Sequence, residues 1–286
     1  MAKAERQALL YADLYMQGRK EINFFVHYLP IYGCVSTGLI YGAIGVIAIL
    51  SFLNLKQGGA DESSLLVFLN DFLIGRIFIW IILLGTLSYI SWRIYEALKD
   101  PYNYGKGWKG ISKRTGIGLS SIADVLIAYS AIMVILGISQ VQEDGRPEEE
   151  RQMVASMLQE SWGDWLIMSI GVIVAITAVV QFWYGITRDY RERLDIGHFS
   201  AYIKKLIHFL AWAGYLARGI IVGIIGFFYV KAGIMENAQY VVNTDKAFDF
   251  IGDHVGHFYF ILVAVGTICY GFFMFFLGAT YDADDG

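Results

Sequence analysis

The sequence predicts an all-α, polytopic membrane protein. Hydrophobic residues make up 56% of the chain and charged residues only 17%, a balance that does not suit a water-soluble surface. A helix needs about 20 mostly apolar residues to cross the bilayer core, and six runs of the chain meet this requirement. The six predicted spans are residues 31–53, 72–95, 115–139, 165–187, 209–231 and 257–280.

Composition and the start of the chain exclude several other classes. A formal net charge of −4 argues against a nucleic-acid partner, which would require a basic excess. Cys34 and Cys269 both lie inside apolar runs, so we expect small buried hydrophobic side chains and no disulfide. The first apolar run follows a polar stretch of about thirty residues, which is not the pattern of a secretory signal peptide.

The distribution of Lys and Arg predicts the orientation in the membrane. The amino-terminal tail and the second and fourth loops carry fifteen of these residues, whereas the loops on the other side carry six. Because basic loops stay on the cytoplasmic side, both termini are expected in the cytoplasm. Residues 4–29 alternate apolar side chains with charges, which suits one or two interfacial helices lying on the bilayer; a frayed cytosolic tail is the alternative.

The chain contains an internal repeat. At an offset of 181 residues, six of the eight glycines between positions 31 and 95 align with other glycines. The aligned pairs are Gly33 with Gly214, Gly38 with Gly219, Gly42 with Gly223, Gly45 with Gly226, Gly75 with Gly256, and Gly85 with Gly266. A weaker match at an offset near 83 places Ser120 on Thr37.

These offsets divide the chain into a tail, 1–29, and three two-helix units, 30–110, 111–195 and 196–286. Hairpins that start on the same side of the membrane are parallel repeats, related by an axis along the membrane normal. Glycines four residues apart let two helix backbones approach closely. Gly38 with Gly42 and Gly219 with Gly223 have this spacing. The full set of glycines predicted to pack helices is Gly33, Gly38, Gly42, Gly45, Gly214, Gly219, Gly223 and Gly226.

The recurring pattern resembles a known family. The first helix of a unit has the form G-x4-G-x3-G-x2-G, the second has the form G-x9-G-x3-Y, and a basic turn, KDPYNYGKGWKG, follows the first unit. Together these features resemble the bacterial integral membrane proteins known as domain of unknown function 1206, particularly their Bacteroidetes-type members. The resemblance covers about 30–281 and implies a bacterial inner-membrane protein, but it implies no catalytic residues. The chain departs from it at Ser120, Ser121 and Asp124, and in its long tail.

Two charges inside the predicted spans are the most informative residues. A charge at the centre of a membrane helix costs about 2.5–3.5 kcal/mol on insertion scales, so Asp124 and Arg218 must be compensated. We expect them to face each other inside the bundle. The predicted intramembrane polar cluster consists of Thr37, Tyr41, Tyr89, Ser120, Asp124, Gln181, Arg218 and Tyr270. It is either a polar pathway or binding pocket, or a structural ion pair in which Arg218 partly extends toward the cytosol.

Other motifs point less clearly to a ligand. Asp253, His254 and His257, with Asp249 one turn earlier, could hold a divalent metal, although surface or capping roles explain them too. As a haem pair, His27 and His208 would have to meet across helices. The basic loop 100–114 could bind anionic headgroups or a partner protein, but positive-inside topology also explains its charges.

The sequence contains no phosphate-binding Gly-Lys loop, no Ser-His-Asp or Cys-His constellation and no CxxC pair. We therefore predict no catalytic residue, no metal site and no cofactor. The first functional hypothesis is a non-catalytic membrane subunit or scaffold whose partners are the lipid bilayer and other membrane proteins. The alternative is a small transporter or channel that uses the cluster around Asp124 and Arg218. A haem or metal redox protein is a third possibility.

Overall fold

The computed structural model describes residues 28–55, 59–100, 105–138, 145–188 and 199–280, with 190, 191, 194, 196 and 197 between the last two ranges. Within the third range it leaves out the side chains of residues 109, 112, 113, 116, 117, 119, 120, 122, 123 and 126. In these ranges the regular elements are helices, as predicted. The α-helices are α1 Tyr28–Phe52, α2 Glu62–Asn70, α3 Leu73–Lys99, α4 Trp108–Ile135, α5 Glu148–Leu158, α6 Gly163–Thr187, α7 Ala201–Ile234, α8 Thr244–Phe250 and α9 His257–Ala279.

Five of the described helices are long and apolar enough to cross a membrane, namely α1, α3, α6, α7 and α9. This supports the predicted class of protein. The remaining long helix, α4, has 28 residues and coincides with the third predicted span. The predicted interfacial helix falls almost entirely on residues 1–27, outside the described ranges.

Helix α7 is longer than its predicted span because its first turns are polar. The apolar run begins at residue 209, but the helix begins at Ala201 and includes Lys204 and Lys205. Ser200 caps it by accepting a hydrogen bond from the Ile203 amide at 3.4 Å. A search for apolar runs omits such amphipathic turns at the end of a span.

The sequence analysis missed three short helices, one in each unit. Helices α2, α5 and α8 each lie between the two long helices of their unit. Asp61 caps α2 and Asn243 caps α8, each accepting a hydrogen bond from an amide three residues later, whereas three consecutive glutamates form the first turn of α5. These are ordinary start signals, but each helix is too short to show a clear apolar period.

Matched glycines make matched contacts within the first and third units. A Cβ atom on Gly33 would lie 2.5 Å from the Cβ of Tyr89, and one on Gly214 would lie 2.8 Å from the Cβ of Tyr270. Because both the glycines and the tyrosines are 181 residues apart, α1 meets α3 as α7 meets α9. Only a residue without a side chain allows this approach at either position.

Matched contacts also join one unit to another. A Cβ on Gly45 of α1 would lie 2.8 Å from the Ala264 carbonyl of α9, and one on Gly226 of α7 would lie 3.0 Å from the Gly171 carbonyl of α6. In the same register, Gly38 lies against Phe275, Gly219 against Phe182, Gly42 against Gly271 and Gly223 against Ala178. Helix α4 lies against α3, where Arg114 donates a hydrogen bond to the Ala97 carbonyl at 2.7 Å. Thus the first helix of each unit packs against the second helix of another unit: α1 against α9, α4 against α3, and α7 against α6.

The largest core cluster lies where these helices converge. Its buried side chains come from the first helices α1, α4 and α7, from α3 and α9, and from the short helices α2 and α8. A second cluster combines the start of α1, the first half of α7, the end of α9 and the segment around Tyr190. The central core therefore draws on all three units.

The contact between Gly42 and Gly271 offers a matched pair of substitutions. A Cβ on Gly271 would lie 2.6 Å from the Gly42 amide nitrogen, whereas one on Gly42 would meet nothing within 4 Å. We expect Gly271→Ala to destabilise the protein by about 1–3 kcal/mol through overpacking. Gly42→Ala should be neutral or stabilising, by up to about 1 kcal/mol, because alanine is the better helix former. Thermal unfolding in detergent compares the two; equal midpoints would contradict the packing described.

Candidate functional site: a buried cluster of charges and tyrosines

Arg218 lies at the meeting point of α1, α7 and α9. Its guanidinium carbon lies 4.7 Å from the ring centre of Tyr41 and 4.9 Å from that of Tyr270. One terminal nitrogen donates a hydrogen bond to the Tyr270 hydroxyl at 2.5 Å. The two rings meet edge to face with their centres 5.4 Å apart. The cation is therefore held mainly by aromatic faces and one hydroxyl, contacts that gain strength when water is excluded.

A related arrangement surrounds Tyr89, the residue that matches Tyr270 in the repeat. Arg93, one helical turn later on α3, donates a hydrogen bond to the Tyr89 hydroxyl and lies 4.8 Å above its ring centre. Arg93 also pairs with Glu96 at 3.7 Å, and the Glu96 side chain is fully buried. Arg93 thus contacts Tyr89 much as Arg218 contacts the repeat-equivalent Tyr270, but Arg93 and Tyr89 both belong to α3.

Asp124 and Arg218 do not form a direct ion pair, which was one of the two interpretations of the predicted cluster. Both side chains are described, and no ion pair within 4.0 Å joins them. Asp124 interacts electrostatically most strongly with Arg93 and next with Arg218. The reason is geometric, because Arg218 points from α7 toward the rings on α1 and α9. The two opposite charges therefore share one buried region and interact electrostatically, but without a direct ion pair.

The structure brings together five of the eight predicted cluster residues. Electrostatic interactions link Tyr41, Tyr89, Asp124, Arg218 and Tyr270 to one another directly or through a shared neighbour. We call these five residues, with Arg93 and Glu96, the axial cluster.

The other predicted residues are placed differently. Thr37 lies one turn before Tyr41 on α1 and is half-buried, and no described contact joins it to the axial cluster. The Gln181 side-chain oxygen is buried, and among the described residues it has no hydrogen-bond partner; the same is true of Arg218 Nε. Ser120 lies in α4, but its side chain is among those not described.

Sequence reasoning counted Arg93 among the charges that set the topology, did not consider Glu96, and missed the place of both residues in the axial cluster. Arg93 was counted among cytoplasmic charges because it lies near the end of a predicted span. The signal that could have found it is its spacing, since residues four apart on a helix share a face and Arg93 follows Tyr89 by four.

A second polar region, the clasp, joins the first unit to the third. It consists of residues 59–62, which lead into α2, and residues 243–246, which begin α8. The Ala60 amide donates a hydrogen bond to Asp245 at 2.6 Å. The Thr244 hydroxyl donates one to Glu62 at 3.1 Å. These hydrogen bonds connect the starts of α2 and α8, two short helices that both contribute to the largest core cluster.

Burial makes the carboxyl groups of the clasp unusually weak acids. It raises the pKa of Glu62 to about 7, despite a favourable interaction with Arg218. It raises the pKa of Asp245 to about 6, despite the hydrogen bond from Ala60 and the ion pair with Lys246 at 3.1 Å. Glu62 interacts electrostatically with both Tyr41 and Arg218, so it connects the clasp to the axial cluster.

His254 and His257 both contact aromatic rings. His254 lies in a π-helical turn, Ile251–Val255, and stacks on Phe250 at 4.6 Å, while His257 meets Phe52 edge to face at 5.2 Å. Within the described residues, no group of three His, Cys, Asp or Glu side chains could hold a metal ion. Nδ1 of His208 lies 3.2 Å from the Tyr190 hydroxyl, and His27 falls outside the described ranges.

The cysteines and the basic loop are placed as follows. Both cysteines are free thiols; Cys34 is buried, as predicted, whereas Cys269 is only half-buried. In the basic loop, Arg114 binds the carbonyl ends of α3 and Trp108 is 85% exposed, whereas residues 101–104 lie outside the described ranges.

Long apolar helices, repeat-matched glycine contacts and a buried cluster of charges define a polytopic α-helical membrane protein. The chain belongs to the family described as Domain of Unknown Function (DUF1206), whose model matches residues 32–100, 115–188 and 213–281. The three matches fall within the three predicted units. The chain is also similar to the uncharacterized protein YxxB of Bacillus subtilis (strain 168), with 25% identity over 240 residues covering 83% of this chain and 86% of that protein. No solved structure matches the chain.

The Tyr270 hydroxyl offers a test of how Arg218 is held. Tyr270→Phe keeps the ring but removes the acceptor, and we expect a loss of about 1.5–3 kcal/mol, the usual range for a hydrogen bond to a charged group. Tyr41→Phe is the matched control because only the ring of Tyr41 is seen to contact Arg218. Thermal unfolding of both variants is the measurement, and a larger effect at Tyr41 would contradict the assignment.

The clasp should make stability depend on pH. A carboxyl whose pKa is raised by folding imposes no penalty below its unfolded value, near 3.8 for Asp245 and 4.5 for Glu62. The penalty grows as the pH rises and is complete above the folded values of about 6 and about 7. The protein should therefore become less stable between about pH 4 and pH 7, by roughly 1.4 kcal/mol per unit of pKa shift.

Removing the two titrating groups tests this dependence. The variant carrying Glu62→Gln and Asp245→Asn should show a flatter dependence of the unfolding midpoint on pH than the native chain. Asp253→Asn is the control because Asp253 is exposed. If the double variant follows the native curve, Glu62 and Asp245 are not the source.

Proposed function

We propose that this chain is a six-span protein of the bacterial inner membrane, built from three parallel hairpins with both termini in the cytoplasm. The length of α4 and its packing against α3 support a sixth span. The matched glycine contacts of α1 with α9 and of α7 with α6 support a threefold arrangement. The fifteen-to-six distribution of Lys and Arg supports the orientation, and membership of a family with a Bacillus subtilis relative supports a bacterial membrane.

We further propose that the protein conducts protons through the axial cluster. The observation that carries this proposal is that no ion pair within 4.0 Å joins Asp124 to Arg218, since buried opposite charges that served only structure would be expected to pair directly. Ionisable residues inside a membrane commonly mark ion pathways and proton relays. This favours the transporter or channel hypothesis over the scaffold hypothesis.

The proposed pathway follows the order of the groups along the helices. Glu62 lies on the outer side, beside the start of α2, and interacts with Tyr41 and Arg218. Asp124 is the central carboxylate. Tyr89 interacts with Asp124, and Glu96 lies one turn before the cytoplasmic end of α3 at Lys99. Carboxylates and tyrosine hydroxyls both accept and donate protons, so the series offers a relay from one face to the other.

A membrane-subunit role is the second proposal, and one observation favours it. Helix α6 is the least buried of the five apolar helices, so most of its surface is available to lipid or to a neighbouring membrane protein. Under this proposal the axial cluster only holds the bundle together. Polypeptides that copurify from native membranes with the native chain would support it.

Flux measurements in liposomes distinguish the two proposals. The native chain should dissipate a pH gradient followed with an entrapped pH-sensitive dye, because the central carboxylate can take up and release protons. Asp124→Asn, which keeps the shape but cannot ionise, should reduce flux to the level of empty vesicles. Asp253→Asn is the control and should conduct normally because Asp253 is exposed and lies outside the axial cluster. Native flux equal to that of empty vesicles would reject proton conduction and leave the cluster a structural role.

A further inference from the structure

A second polar site lies at the outer end of the α3 and α4 pair. A pocket of about 370 Å³ is lined by the end of α2, the first turns of α3 and the last turn of α4. Its lining combines one charged residue, Arg76, and one amide, Asn70, with apolar side chains and the exposed indole of Trp80. Its volume is within the range of small-ligand sites but smaller than a complete lipid.

Arg76 is a charged group on an otherwise apolar surface. Leu73, Ile74 and Ile77, its neighbours on α3, are 82%, 69% and 58% exposed. Arg76 Nε donates a hydrogen bond to the Asn70 carbonyl at 3.2 Å. Among the described residues Arg76 has no carboxylate within ion-pair distance, including nearby Asp71. A guanidinium so placed against hydrocarbon needs an anion, and its fork geometry matches a phosphate.

The helix ends around the pocket have complementary polarity. Helix α3 begins after Phe72, which makes no side-chain capping bond, so the first amides of the helix carry partial positive charge beside Arg76. The carboxyl end of α4, which reaches the pocket through Val134, Ile135 and the C-cap residue Leu136, carries the partial negative charge of a helix carboxyl end. One wall of the pocket therefore favours an anion and the opposite wall favours a cation.

We propose that this pocket binds the headgroup of a zwitterionic phospholipid, with its phosphodiester on Arg76 and its ammonium near the last turn of α4. The acyl chains would lie along the exposed apolar side chains of α3. Tryptophan at the membrane interface, here Trp80, is typical of a lipid-contact surface at headgroup depth. The site rests on the proposed six-span topology, which places this end of α3 and α4 in the outer leaflet, but it does not depend on proton conduction.

Native mass spectrometry of the full chain in detergent tests the site. Phosphatidylethanolamine, phosphatidylglycerol and inorganic phosphate are the three probes. The native chain should retain phosphatidylethanolamine more strongly than phosphatidylglycerol, and inorganic phosphate should not displace it. Arg76→Gln should lose this retention, while Arg76→Lys, which keeps the charge, should recover part of it. Arg191→Gln, which removes an exposed arginine from the opposite face, is the matched control and should bind as the native chain does.

Two results would overturn the proposal. Equal retention of phosphatidylethanolamine by Arg76→Gln and the native chain would show that Arg76 does not bind it. Displacement by inorganic phosphate, or equal retention of phosphatidylglycerol, would show that the pocket does not recognise a zwitterionic lipid. Size-exclusion profiles check that each variant is folded. Asp124→Asn should keep its lipid and Arg76→Gln should keep its proton flux, so failure of one proposal is separable from failure of the other.

Discussion

The need to hold a guanidinium inside an apolar helical bundle constrains the rest of this structure. Without water, Arg218 depends on two tyrosine rings and one hydroxyl, which come from α1 and α9. Those helices must therefore approach α7 closely, and they do so where glycine replaces a side chain. A Cβ on Gly214 would lie 2.6 Å from the Cα of Tyr270, so the residue that receives the cation is positioned directly by the packing.

The clasp and the axial cluster form one buried polar system, in which the loss of water makes every charged group costly. Glu62 belongs to the clasp through Thr244 and to the cluster through its interaction with Arg218. Removing carboxylates from water raises their pKa values toward neutrality, so the charges in this region can change under ordinary conditions. A network of this kind stabilises the bundle only while its hydrogen bonds remain satisfied.

Much of the fold follows from the sequence, because long apolar runs and repeated glycines are strong and redundant signals. The three matched segments of the family model lie inside the units that the glycine register defines. The short helices were missed because their signals are a single capping residue or a few acidic ones. The depth of Asp124 and Arg218 could be inferred by counting residues, but their pairing could not. The direction in which an arginine side chain extends depends on which neighbouring helix offers a partner, and sequence periodicity carries no such information.

The contact between α1 and α9 joins the first described helix to the last, so that each of the three units contacts the other two. Three separate copies of one hairpin, assembled as a homotrimer, could make the same contacts. Such a trimer would have to place three identical residues at every axial position, and three arginines there would repel one another. Fusion into one chain removes this restriction. Thr37, Ser120 and Arg218 now occupy equivalent positions, as do Tyr41, Asp124 and Val222. A single chain with repeated units can therefore carry different residues at repeat-equivalent positions, which identical subunits could not do.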